Sequence, residues 1–95
     1  MTFTHRFSRT LSCTMTVSDE PPAGGENYIQ KIEWTGRPKA KHTREYVRWC
    51  HVIYSHLANH WNLRLMQAVQ IGPRLWEFWG YEPGQTPKLL KKSTD

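Results

Sequence analysis

The spacing of hydrophobic positions predicts a strand and then a helix in the middle of the chain. Residues 28–34 alternate between apolar and polar side chains, which is typical of a half-buried strand. Residues 41–61 place apolar side chains three and four positions apart, which is the spacing of an amphipathic helix. The positions that define this helical stripe are Tyr46, Cys50, Ile53, Leu57 and Trp61.

Two further alternating segments predict a β-hairpin after the helix. Residues 63–71 and residues 74–81 flank Gly72 and Pro73, which are turn formers. The order β-α-β-β predicts a small α+β domain, in which a three-stranded sheet carries one amphipathic helix on one face.

The two ends of the chain lack a sustained apolar pattern. Residues 1–25 are rich in Ser and Thr and close on a Pro-Pro-Ala-Gly-Gly run, so we expect a disordered leader and linker. Residues 26–83 then form the α+β domain, and residues 84–95 form a basic C-terminal tail. The first 18 residues contain no acid and resemble an organelle transit peptide; the alternative is an irrelevant leader preceding a start at Met15.

The hairpin carries aromatic side chains on both faces, and its register is left open by the sequence. A two-residue turn directs one face toward the helix and leaves a second face of Arg64, Met66, Leu75, Trp79 and Tyr81. A three-residue loop instead sends Trp76 and Phe78 to that second face, because strand register has a period of two. One helix covers only one side of a sheet, so the second face meets solvent, the tail, a second subunit or a ligand.

The charge pattern favours an anionic partner. The net charge is +5, and residues 27–83 hold eight cations and four acids. The cations concentrate where the helix begins, a place where the helix macrodipole disfavours positive charge. The candidate phosphate-binding residues are Arg37, Lys39, Lys41, Arg44 and Arg48. The alternative interpretation of this basic segment is a solvated run of charge.

Signals for catalysis, metal binding and cofactors are weak. His56 and His60 are spaced to face one metal ion, but two ligands do not complete a site. A glycine-rich phosphate loop is missing from the sequence, so we expect no nucleotide cofactor. Cys13 and Cys50 fall in unlike settings, which argues against a disulfide and favours a reducing compartment.

The sequence therefore predicts a non-enzymatic binding module. We expect it to bind nucleic acid, either RNA or single-stranded DNA, through the basic hinge and helix and through an aromatic sheet face. The expected stacking or interface residues are Arg64, Met66, Trp79 and Tyr81. The alternative is a protein–protein interaction subunit, a homodimer or an inhibitor-like adaptor, that uses the same aromatic face. We expect a cytoplasmic protein without a membrane span, or an organellar one if residues 1–18 act as a transit peptide.

Overall fold

The chain folds into an α+β structure with two three-stranded antiparallel sheets and one helix. The computed structural model describes residues 1–23 and 27–94. The described residues form two compact units, the first comprising Met1–Lys39 and the second beginning at Ala40. The strands are β1 (Thr2–Arg6), β2 (Ser12–Val17), β3 (Ile29–Thr35), β4 (Leu65–Gly72), β5 (Leu75–Tyr81) and β6 (Lys88–Thr94), and the helix is α1 (Thr43–Trp61).

The first unit is the sheet β1-β2-β3, and most of its apolar and polar side chains lie on opposite faces. Phe3 pairs with Met15, and Met15 pairs in turn with Ile32 on β3. Because successive side chains of a strand point to opposite faces, the apolar positions of the three strands share one face. The other face is lined by small polar and by charged side chains: Thr2, Thr4, Arg6, Ser12, Thr14, Thr16, Lys31, Glu33 and Thr35. Leu11, Cys13, Met15 and Val17 are buried.

The prediction of a disordered leader over residues 1–25 is wrong for β1 and β2. Cys13, Met15 and Val17 of β2, together with Leu11 just before it, stand at alternate positions, which is a strand period, and the intervening residues are Ser and Thr. Thr is β-branched and suits strands, so a Ser/Thr-rich composition was the wrong criterion for disorder. The Gly24 and Gly25 of the predicted linker lie outside the described residues.

The second unit starts with a short 3-10 turn, Ala40–His42, that leads into α1. The helix confirms the prediction made from its apolar stripe. Asn62 ends it in the left-handed conformation, with φ 52° and ψ 46°. The amides of Asn62 and Leu63 donate to the carbonyls of Asn59 and Ala58 at 3.2 and 3.0 Å, which satisfies carbonyls that a helix end otherwise leaves unpaired.

The sheet that carries the helix is β4-β5-β6, and all of its strands follow the helix in the chain. The predicted hairpin is present as β4 and β5. The third strand differs from the prediction: β3 pairs with β2 in the first unit, and β6, formed by the predicted basic tail, pairs with β5 instead. The sequence Lys88-Leu-Leu-Lys-Lys-Ser-Thr94 has no apolar alternation, so its pairing is set by contacts with β5 rather than by a local pattern.

A register shift in β4 decides which aromatic residues share a face. Gln70 pairs with Trp76, but Gly72 pairs with Leu75. Ile71 therefore has no partner on β5 and forms a β-bulge. This register differs by one residue from the one predicted for a two-residue turn at Gly72 and Pro73. The shift exchanges the two faces of β5, as expected for a strand with a side-chain period of two.

Candidate functional site

The face of the sheet β4-β5-β6 that points away from the helix carries aromatic, apolar and basic side chains. We call it the open face. Its members, assigned from strand pairing and from the approach of Leu90 to Gly80, are Met66, Ala68, Gln70, Trp76, Phe78, Gly80, Lys88, Leu90, Lys91 and Ser93. None of these ten residues is acidic, so the formal charge of the face is positive.

Trp76 and Phe78 lie two residues apart on β5, and they form an aromatic row on the open face. The ammonium of Lys91 lies 4.6 Å from the centroid of the Phe78 ring, which is a cation–π contact. Met66 is 63% exposed and Leu90 is 40% exposed, while the two aromatic residues are half-buried. The sequence alternative with a three-residue loop predicts Trp76 and Phe78 on this face. The predicted site does not include Lys88 and Lys91, because both belong to the segment that was predicted to be a tail.

A cleft of about 470 Å³ continues from the open face at the end of β5. The connection between β5 and β6 forms one wall, and Gly80, Lys88 and Leu90 belong to both the cleft and the open face. Arg64, a predicted interface residue, lies in this cleft, where its Nε is 3.4 Å from a carboxylate oxygen of Glu82. The cleft therefore holds two cations and one acid.

Trp79 and Tyr81 were predicted to be interface residues, and the structure places them on the opposite face, against the helix. Tyr81 is 1% exposed, and its ring makes an edge-to-face contact with Tyr54 at 5.2 Å between centroids. His51 contacts Trp79 at 4.4 Å between ring centroids. The bulge in β4 is the cause of this exchange. Of the other two predicted interface residues, Met66 lies on the open face and Arg64 lies in the cleft.

His51 links the helix to β5 through polar contacts that the sequence did not indicate. Its Nδ1 lies 2.8 Å from the Tyr81 hydroxyl, and the tautomer of the ring decides which atom donates. The Trp79 indole N–H donates to Glu77 at 3.2 Å, and Glu77 also lies 3.6 Å from the Lys92 ammonium. Burial lowers the pKa of His51 below its usual value, and the negative charge of Glu77 opposes part of that shift. A neutral imidazole therefore suits this interface.

The five predicted phosphate-binding cations are divided between the two units. Arg37 and Lys39 follow β3 in the first unit, whereas Lys41, Arg44 and Arg48 lie in the second. All five are exposed. Arg44 and Arg48 belong to the helix, which packs on the face of the sheet opposite to the open face. The thickness of the sheet therefore separates them from Trp76 and Phe78, and they do not form one surface with that row.

Three further reactive side chains, those of Cys50, His56 and His60, belong to the helix. Burial raises the pKa of the Cys50 thiol to about 11, with hydrogen bonds from Tyr46 and Tyr54 opposing the shift. That thiol is protonated at neutral pH and is a poor nucleophile. The rings of His56 and His60 stack at 5.9 Å between centroids. Residues 1–23 and 27–94 contain no group of three or more His, Cys, Asp or Glu placed to hold a metal ion.

In the part of the chain that the structure describes, the helix α1 is not apolar enough to span a bilayer. No protein-family model, curated protein or solved structure matches this chain. Its functional interpretation therefore depends on the residues and geometry described above.

Proposed function

We propose that this protein is a non-enzymatic module that binds single-stranded nucleic acid on the open face of the sheet β4-β5-β6. One observation carries the proposal: Trp76 and Phe78 lie side by side on a face that also presents Lys88 and Lys91, and none of its ten assigned residues is acidic. Aromatic side chains flanked by cations are the usual platform for unpaired bases, since every base has a face that can stack and every nucleotide brings a phosphate.

The spacing of the row suits successive nucleotides. A strand rises about 3.3 Å per residue, so Trp76 and Phe78 are separated by about 7 Å. Each stacked base contributes about 1–3 kcal/mol, and recognition of this type tolerates many sequences. The two lysines supply phosphate contacts on the same face, which is where a strand stacked on the row would place its backbone.

The cation–π contact between Lys91 and Phe78 does not prevent a base from stacking there. Such a contact at an exposed site contributes about 0.5–1 kcal/mol, which is less than a stacked base contributes. A base can therefore displace the ammonium from the ring. The displaced ammonium remains beside the nucleotide, where it can pair with the phosphate.

The direct test is the binding of a fluorescent oligonucleotide to the full chain, measured by anisotropy at several salt concentrations. Both single-stranded DNA and RNA are used, and a duplex of the same sequence serves as a comparison. We expect preference for the single strands, and a slope of log affinity against log salt of about −1.4 if two lysines neutralise phosphates.

Phe78→Leu and Trp76→Leu remove the aromatic ring but keep an apolar side chain, so they separate stacking from packing. Each is expected to weaken binding by about 5-fold to 150-fold. Arg44→Gln, on the other side of the sheet, is the control and should weaken it much less. Equal losses from Phe78→Leu and Arg44→Gln would contradict the proposed site.

The alternative, a protein-binding or self-associating face, is favoured by the exposure of Met66 and Leu90 beside the aromatic row. Light scattering after size-exclusion chromatography distinguishes it. A dimer that dissociates in Trp76→Leu, together with no oligonucleotide binding, would support the alternative over nucleic-acid binding.

A further inference from the structure

The open-face row of β5 extends from Trp76 and Phe78 to Gly80, which is the only member of the row that lacks a side chain. The three positions are evenly spaced, with about 7 Å between neighbours. Gly80 is buried, and a Cβ there would meet the Leu90 side chain at 3.6 Å, so Leu90 covers this position and borders the cleft beside it. The third place in the row thus offers no ring for a base to stack on, and the cleft lies beside it.

The cleft that begins at Gly80 is suited to an anion. Arg64 and Lys88 line it, and so do the polar side chains of Gln85 and Thr86. The Arg64 and Glu82 side chains of the ion pair are 65% and 51% exposed. An exposed pair of this kind is weak, so the guanidinium is available to a stronger anion.

The cleft also ends the row. Gln85, Thr86 and Pro87, which belong to the connection between β5 and β6, line its wall. A strand that is stacked along β5 toward Gly80 reaches this cleft after Phe78, which is the last aromatic residue of the row. The geometry therefore favours a chain end over an internal phosphodiester at this position.

We infer that the cleft binds the terminal phosphate of a single-stranded nucleic acid whose adjoining bases stack on Phe78 and Trp76; this inference rests on the proposed function. A terminal phosphate monoester carries a charge of about −1.5 to −2 at pH 7, compared with −1 for an internal diester. Its extra charge and its free oxygens suit the planar fork of Arg64 and the ammonium of Lys88.

The experiment compares three short oligonucleotides of one sequence, with a 5′-phosphate, a 3′-phosphate or hydroxyls at both ends, titrated into the full chain. We expect one of the two phosphorylated forms to bind about tenfold more tightly than the hydroxyl form. This advantage should shrink below about pH 6, where the monoester loses its second charge.

Four variants test whether the cleft is responsible. Arg64→Gln and Lys88→Gln should each remove most of the phosphate advantage, whereas Glu82→Gln should increase it because a competing carboxylate is lost. Lys92→Gln is the matched control, since it removes the same charge from the same strand on the face toward the helix. Thermal unfolding of each variant verifies that it is folded.

The outcomes separate this inference from the proposed function. Equal binding of all three oligonucleotides, or a phosphate advantage that survives both Arg64→Gln and Lys88→Gln, overturns the terminal-phosphate site and leaves the stacking face intact. Binding of none of the three overturns both.

Discussion

The sheet β1-β2-β3 places Phe3, Met15 and Ile32 on one face and mainly Thr and Ser on the other. The sheet β4-β5-β6 places Tyr81 against the helix but Trp76 on the opposite face, so large side chains occupy both of its faces. Both sheets are antiparallel and three-stranded, and they are built by the same pairing rules.

The two sheets differ in the side chains on one face: the polar face of β1-β2-β3 carries hydroxyl and charged groups, whereas the open face of β4-β5-β6 carries aromatic and apolar groups. Thr and Ser side chains on a sheet face are satisfied at little cost by water or by one another, as in the 3.0 Å hydrogen bond between the Thr4 and Thr14 hydroxyls. A contiguous aromatic and apolar patch keeps apolar surface in water, and such patches mark interaction sites. Compared with the polar face of the first sheet, the open face of the second sheet is therefore unusual in its aromatic and apolar content.

The largest expected effect separates the two faces of β5. Tyr81→Ala removes a buried ring that contacts Tyr54, and we expect it to lower the free energy of unfolding by about 3–5 kcal/mol. Trp76→Ala, on the open face, should cost about 1 kcal/mol. Urea unfolding measures both, and Tyr81→Phe, which removes only a hydroxyl, should cost about 1 kcal/mol. Equal costs for Tyr81→Ala and Trp76→Ala would erase the distinction between the faces.

Gly36 provides a comparable test in the first unit. It adopts φ 92°, and a Cβ at this position would collide with the carbonyl oxygen of Thr10. Gly36→Ala is therefore expected to cost about 2–3 kcal/mol, because backbone strain and the collision add. Gly84→Ala is the control: φ is 72° there but nothing lies within 4 Å, so about 1 kcal/mol is expected.

Hydrogen exchange of the β2 amides reports on Gly36→Ala within the first unit. Faster exchange in β2, with unchanged exchange in β5, is the expected pattern. Slower or unchanged exchange in β2 would contradict the role assigned to the glycine.

A smaller effect is expected from pH at the interface between the helix and β5. Because burial lowers the pKa of His51 in the folded protein, the unfolded chain binds more protons at this residue. Its contribution to stability is complete above the unfolded pKa of about 6.5 and is lost as the pH falls through the lower folded value. Stability measured in urea should therefore decrease between pH 7.5 and pH 5.

His51→Gln tests the origin of that dependence, since Gln cannot titrate. The groups that face His51 from β5 are Tyr81 and Glu77, and Glu77 is paired with Lys92 of β6. The variant should show a smaller decrease over the same pH range. An identical decrease would assign the effect to other titratable groups.

The smallest expected effects compare the exposed faces of the two sheets directly. Met66→Gln on the open face and Thr2→Gln on the polar face should each change the free energy of unfolding by less than about 0.5 kcal/mol. In the oligonucleotide assay only Met66→Gln should weaken binding, and by less than Phe78→Leu. If Thr2→Gln weakened oligonucleotide binding and Met66→Gln did not, the binding surface would lie on the first sheet and not on the open face.

The elements that the sequence predicted correctly are those with a local period. The helix over residues 43–61 and the strands of the β4-β5 hairpin each carry their own apolar spacing. The segment from Leu11 to Val17, which includes strand β2, has an equally clear alternation of apolar and polar residues, so this strand is also encoded locally. Strand β6 has no such signal, so Lys88 and Lys91 could not be assigned to the site.

The sequence by itself determined the helix, the aromatic hairpin and the excess of positive charge, because each depends on residues that are close together in the chain. Only the tertiary structure decided that β3 pairs with β2, that β6 completes the second sheet and that Trp76 and Phe78, rather than Trp79 and Tyr81, lie on the open face. Strand partners are chosen by contacts between distant segments, which leave no local pattern. With a side-chain period of two, a single bulged residue was enough to exchange the faces.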